Sequence, residues 1–148
     1  MYSQLGMKTF GLPIPLELGA NYMEKIVKIG EKDVGFKATA LTPRLYRHKI
    51  GRDMISDLAK LRSAYTKARK IQPDATEDQK REAQLSALDL EIFENASYIM
   101  AKQYDNGIPD SPEEWLDEFD TFSIYEILPQ ILELWQLNNR TTAKPKKK

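Results

Sequence analysis

The sequence predicts an α+β fold that is predominantly α-helical, an N-terminal β-hairpin packed on a bundle of about four helices. Three observations predict it. Two short alternating runs flank a glycine-containing turn near residue 30, which is hairpin patterning. Four helix starts carry cap chemistry: Thr42-Pro43, Thr76-x-x-Gln79, Ser111-Pro112 and Ser123-x-x-Glu126. Apolar residues then recur every three or four positions after these starts, which marks one buried face of a helix.

The hairpin is drawn from Glu24–Gly30 and Val34–Ala38, with Gly30-Glu31-Lys32-Asp33 as the turn. Ile26 and Ile29 are the apolar positions of the first run, blurred by Val27; Val34, Phe36 and Ala38 share a face of the second. Two strands alone are marginal in water, so this face must lie on a helix or pair with another chain. A helix is predicted from 43 to about 70, with Thr42 as N-cap and Ile50, Met54, Leu58, Leu61 and Tyr65 as its stripe. Gly51 interrupts the pattern and weakens it by about 1 kcal/mol relative to Ala. The opposite face is basic, with Arg44, Arg47, Arg52, Arg62 and Arg69 among its residues.

A long helix is predicted from 77 to about 104, with Leu85, Leu88, Ile92, Ala96 and Ile99 inward, ending at Asp105-Asn106-Gly107. Ser111-Pro112-Glu113-Glu114 opens a further helix whose first turns are acidic, as the macrodipole favours. The last helix is predicted from Ser123 to about 137, with Leu128, Ile131, Leu132 and Trp135 as its stripe. Pro129 should kink it or delay its start, and Asn138-Asn139 should end it. Residues 1–22 read as an N-terminal extension, part extended and part loop, either a partner-binding arm or a start-site artefact, with Met23 as an alternative start. Residues 23–139 form the single domain, and the basic tail 140–148 is expected to be disordered.

Composition excludes much chemistry. The chain has 148 residues, no cysteine and one histidine, His48. Thiolate catalysis, Fe–S clusters, thiolate zinc sites and two-histidine metal motifs are therefore impossible within one chain. No phosphate-binding loop, dinucleotide fingerprint or nucleophile elbow occurs. Asp105-Asn106-Gly107 has its glycine three positions too early for a calcium loop. No apolar run is long enough for a membrane span. The expectation is a non-enzyme with no cofactor and no membrane association.

Charge is uneven. The net charge of zero divides into +8 over residues 1–72, −13 over 73–139 and +5 over 140–148. The bland reading is a solvated surface. The sharper one is self-association, with Arg44, Arg47 and Arg52 as the basic contact face. Nucleic-acid binding is disfavoured by the acidic second half and a sequence pI near 6.6. Between Trp115 and Trp135 the chain carries more large apolar groups than two short stripes require. Most complete a core; Trp115, Phe119, Phe122, Tyr125 and Trp135 are the candidates for contact with a partner.

The order of parts over about 23–138 resembles the tail assembly chaperones of long-tailed phages, particularly those of Gram-positive bacteria and their prophages. The segments that carry it are KIVKIGEKDVGFK (25–37), TALTPRLYRHKIGRDMISDLAKL (39–61), ALDLEIFENASYIMAKQYD (87–105) and EEWLDEFDTFSIYEILPQILELWQLN (113–138). The last is the most specific; residues 1–22 have no counterpart. The resemblance implies a non-enzymatic protein of the host cytoplasm that coats the tape measure protein, keeps it soluble, helps recruit tail tube subunits and is absent from the mature virion. It also implies a longer form made by ribosomal frameshifting, for which Lys146-Lys147-Lys148 would suit slippery codons. The alternatives are another phage structural or head–tail adaptor protein and, third, a nucleic-acid-binding regulator.

Overall fold

The structure, a computed structural model, describes residues 23–142, with side chains described as far as Leu137. It is α+β and mainly helical: one antiparallel hairpin, then six helical segments. The expectations for residues 1–22 and for 143–148 of the tail lie outside the described residues; residues 140–142, expected to be disordered, belong instead to the last helix.

Strand β1 (Glu24–Ile29) pairs with β2 (Lys32–Lys37), placing Val27 opposite Val34 and Lys25 opposite Phe36. The connection is two residues long rather than four. Gly30 takes φ +63, a value tight hairpin turns require and glycine adopts without a Cβ penalty. The buried face carries Val27, Ile29, Val34 and Phe36, so Ile26 points outward and is 54% exposed. Ile26 and Ile29, read as the apolar positions of this run, fall on opposite faces, and Val27 takes the inward place, because side-chain direction alternates with period two.

Helix α1 (Thr42–Ile50) and helix α2 (Met54–Lys70) replace the single helix predicted over 43–70. Gly51 ends α1 in the left-handed region at φ +81, and the Asp53 side chain accepts the Ile55 N–H to start α2. The break is locked from within. Buried Asp57 accepts both Arg52 guanidinium donors, Nε at 2.7 Å and Nη2 at 2.8 Å, and the Tyr46 hydroxyl at 2.9 Å. The Arg52 bonds hold the Asp57 carboxyl below its usual range, and burial raises the Tyr46 phenol. The predicted N-cap also shifts by one. Leu41 holds the cap position, while the Thr42 hydroxyl accepts the Thr39 N–H (2.8 Å) and donates to Gln103 Oε1 (2.5 Å).

The helix predicted over 77–104 is likewise divided, into α3 (Glu77–Glu82) and α4 (Ala87–Tyr104). Thr76 and Gln79 form the predicted capping box. A second box, Ser86 with Asp89, restarts the chain for α4. Ile92, Ala96 and Ile99 are buried as predicted, but Leu88 is 46% exposed because the break turns it off the core. Helix α4 is the axis of the fold, packing on β2, α1, α2 and the two helices that follow.

Helix α5 (Pro112–Leu116) starts at Ser111, whose Oγ accepts the Glu114 N–H, as its sequence predicts. Helix α6 (Ile124–Thr142) lies against β1 and α4. It contains Pro129 without a delayed start and runs through Asn138-Asn139 to Thr142. Pro129 lies close to the N-terminus and has no N–H to give the Tyr125 carbonyl, so one bond is missing. Lys25 pairs with Glu133 at 2.5 Å, joining β1 to α6.

Candidate partner-binding surface

The aromatic residues of the 115–135 stretch divide into a hub, a rim and two outliers. Trp115 is the hub, only 1% exposed. Its ring meets Phe119 at 5.2 Å, Phe122 at 5.3 Å, Tyr98 at 5.8 Å and Phe36 at 6.4 Å between centroids, all edge-on. That geometry suits the aromatic quadrupole. Phe122 continues inward to Phe93 at 5.2 Å. Phe119 and Phe122 are half-buried, so they form the rim.

The position of the hub follows from the loop before it. Lys102, on the last turn of α4, donates to the Asn106 carbonyl (2.9 Å), the Ile108 carbonyl (2.8 Å) and Asp110 Oδ1 (2.9 Å). The Tyr98 hydroxyl donates to the Pro109 carbonyl at 2.7 Å. These bonds strap 105–111 onto α4 and deliver Ser111, the α5 cap, at a fixed place. Lys102 in turn holds the Asp110 carboxyl below its ordinary range.

Two sequence candidates are corrected by this arrangement. Trp115 and Trp135, 1% and 7% exposed, face the core, so neither offers a surface to a partner in this fold. Tyr125 stands apart: it is 53% exposed and leans on Tyr65 of α2 at 5.8 Å. The basic face is also reduced. Arg44 and Arg47 are exposed and make no ion pair among the described residues, but Arg52 is committed to Asp57 as the lock between α1 and α2. His48 is exposed on the same helix.

An open cleft of about 440 Å³ lies between the hairpin and the end of α4. Ile26, Gly35, Tyr104, Ile108 and Phe119 supply its apolar lining, and Lys32, Asp33, Asp105 and Glu118 its charges. Lys32 Nζ lies 5.9 Å from the Phe119 ring centre, a cation–π contact at the mouth. Tyr104 lies flat on Gly35: a methyl group added there would stand 2.0 Å from Tyr104 Cε2. Gly35 is therefore small because an aromatic ring needs its space. Sequence reasoning missed Ile26 and Tyr104. The available signal was a glycine inside an alternating strand, which marks close approach of another group.

Chemically the cleft offers apolar contact bordered by both signs of charge. Among the described residues no group of three metal-ligating side chains converges, and no helix is long and apolar enough to cross a membrane. No family model matches the chain, and neither a curated protein nor a solved structure does so.

Proposed function

We propose that this chain is a non-enzymatic tail assembly chaperone of a long-tailed phage or prophage. It binds the tape measure protein in the host cytoplasm, keeps it soluble, helps recruit tail tube subunits and leaves before the virion is complete. The observation that carries the reading is the resemblance over 23–138, above all the segment 113–138. The surface gives a physical reason for it. A long helical client with many similar turns is best held by apolar contacts that do not demand one sequence, bordered by charges that keep the complex in solution.

On this reading the client seats apolar side chains in the cleft between Tyr104 and Phe119, with Tyr125 as a second contact. Trp115 acts through Phe119 and Phe122, by fixing them before the client arrives, which lowers the entropy lost on binding. Neither a cofactor nor a bound metal has a role. Tail tube subunits are reached through a longer, frameshifted form of the chain.

The test is co-expression with the tape measure protein encoded beside it, followed by pull-down and a solubility assay. A client that turns soluble and co-purifies supports the proposal. A client that stays insoluble and unbound beside a well-folded chain overturns it. Presence of the chain in purified virions would favour a head–tail adaptor instead.

A further inference from the structure

Residues 71–91 give the core little: of their side chains only Leu85, partly buried, packs against it. Helix α3 buries no side chain, and no residue from Ile71 to Glu91 is buried. The segment nevertheless has a defined shape, set by two complete capping boxes, Thr76 with Gln79 and Ser86 with Asp89. It shows three large apolar side chains to solvent: Leu88 at 46% exposure, Leu90 at 39% and Ile71 at 38%. Leu88 and Leu90 stand two apart on α4 and so point to opposite sides of its first turn; they are separate exposed apolar groups on a well-capped segment.

Its charge points to the occupant. Residues 72–91 carry six acidic and two basic side chains. Residues 42–70, the span of α1 and α2, carry nine basic and two acidic ones. Both of those acids are already engaged: Asp53 caps α2 and Asp57 holds Arg52. Among the described residues Arg44, Arg47, Lys60, Arg62, Lys67 and Lys70 are exposed and make no ion pair. The outer face of α2 also has an apolar anchor. Ile55 is 61% exposed, and helical spacing sets it on the same side as Arg62 and Lys70.

We propose that residues 71–91 are a dimerisation arm: the acidic, leucine-bearing arm of one copy lies on the outer face of α1 and α2 of a second copy. The α2 helix runs directly into the arm at Ile71, so acidic and basic surfaces are chain neighbours. A twofold axis that sets two α2 helices antiparallel then places each arm on the other copy's basic face. The contact is self-complementary and closes. Leu88, the more exposed of the two leucines, meets Ile55, and the charges around it pair across the axis. No client takes part, so the proposal stands or falls separately from the chaperone reading.

Sedimentation of the full chain alone tests it. The expected result is a dimer that weakens as salt rises from about 50 to about 500 mM, as screened pairs must. Leu88→Asp with Leu90→Asp is expected to raise the dimer dissociation constant by about 10-fold or more, with circular dichroism unchanged. Charge reversal supplies the second arm of the experiment. A copy with Glu77→Lys and Glu82→Lys, and a copy with Arg62→Glu and Lys70→Glu, should each fail to self-associate, and an equimolar mixture should form heterodimers. A monomer at both salt concentrations overturns the proposal, as does a dimer indifferent to the leucine substitutions.

Discussion

Replacing Trp115 and Tyr125 by alanine separates stability from binding, because the two aromatics sit at opposite ends of the burial scale. Trp115 touches four other rings and is 1% exposed, whereas Tyr125 is 53% exposed and leans on one ring. Trp→Ala at a fully buried site costs about 3–5 kcal/mol, from lost transfer energy and the cavity left behind. Four edge-on ring contacts around the site place Trp115→Ala at the upper end. For a domain of this length each kcal/mol moves the melting temperature by roughly 2–4 °C, so Trp115→Ala should lower it by about 10 °C or more. Tyr125→Ala loses half of one ring's burial and one tilted aromatic contact, about 1 kcal/mol. Urea titration of both variants, followed by circular dichroism, gives the free energies, and pull-down of the client at 15 °C gives binding. Trp115→Ala should show a lower midpoint with an unchanged slope, and while folded should still bind, more weakly for want of a fixed Phe119 and Phe122. Tyr125→Ala should lower its midpoint only slightly and bind more weakly. A Trp115→Ala chain as stable as wild type would refute the hub, and a Tyr125→Ala chain with full client affinity would remove Tyr125 from the contact surface.

Three further outcomes follow from the geometry. Gly51→Ala should destabilise the fold by about 1 kcal/mol, because φ +81 is costly for any residue with a Cβ; in an unbroken helix the same change would stabilise by about as much, so the sign read by thermal melting decides between them. Asp57→Asn should flatten the acid limb of the stability profile. The folded carboxyl titrates below its unfolded value, so its contribution is present above about pH 4 and fades as pH falls further, and wild type and variant should converge in acid denaturation. Gly35→Ala should displace Tyr104 and cost stability that Tyr104→Ala in the same chain restores; a double-mutant cycle should report a coupling of about 0.5–3 kcal/mol, and additivity would refute the contact.

Most elements of this fold are legible in the sequence because their ends are written in side-chain chemistry. Thr76 with Gln79 and Ser111 with Glu114 cap the helices their spacing predicts. What escaped were breaks inside stripes that keep their phase. Ile50, Met54 and Leu58 remain four apart across the Gly51 turn, so periodicity alone reads one helix where there are two. The signal was local: a glycine able to take positive φ, followed two residues later by an aspartate at an N-cap. The same holds at Ser86-x-x-Asp89, a second box within a stripe already assigned to one helix. Asn138-Asn139 failed as a stop because neither residue forbids helix.

The binding surface was less legible, for a reason rooted in how aromatics are distributed here. Counting large apolar groups from Trp115 to Trp135 shows a surplus over what two stripes need, but not which members form it. That depends on the seven-residue link between α5 and α6, which turns Phe119 and Phe122 back onto Trp115. The result is a hub whose centre is closed and whose edge is open. On the proposed reading, contacts for a partner then come from elsewhere, from Ile26 on the outer face of the hairpin and Tyr104 at the end of α4. Both are exposed because of what they oppose: Ile26 alternates with buried Val27, and Tyr104 lies on a glycine instead of inserting between side chains. A surface built this way can vary in sequence without disturbing the core behind it. Substitutions at Ile26, Tyr104 and Tyr125 should therefore change what is bound at little cost in folding, whereas substitutions at Trp115 should change folding first.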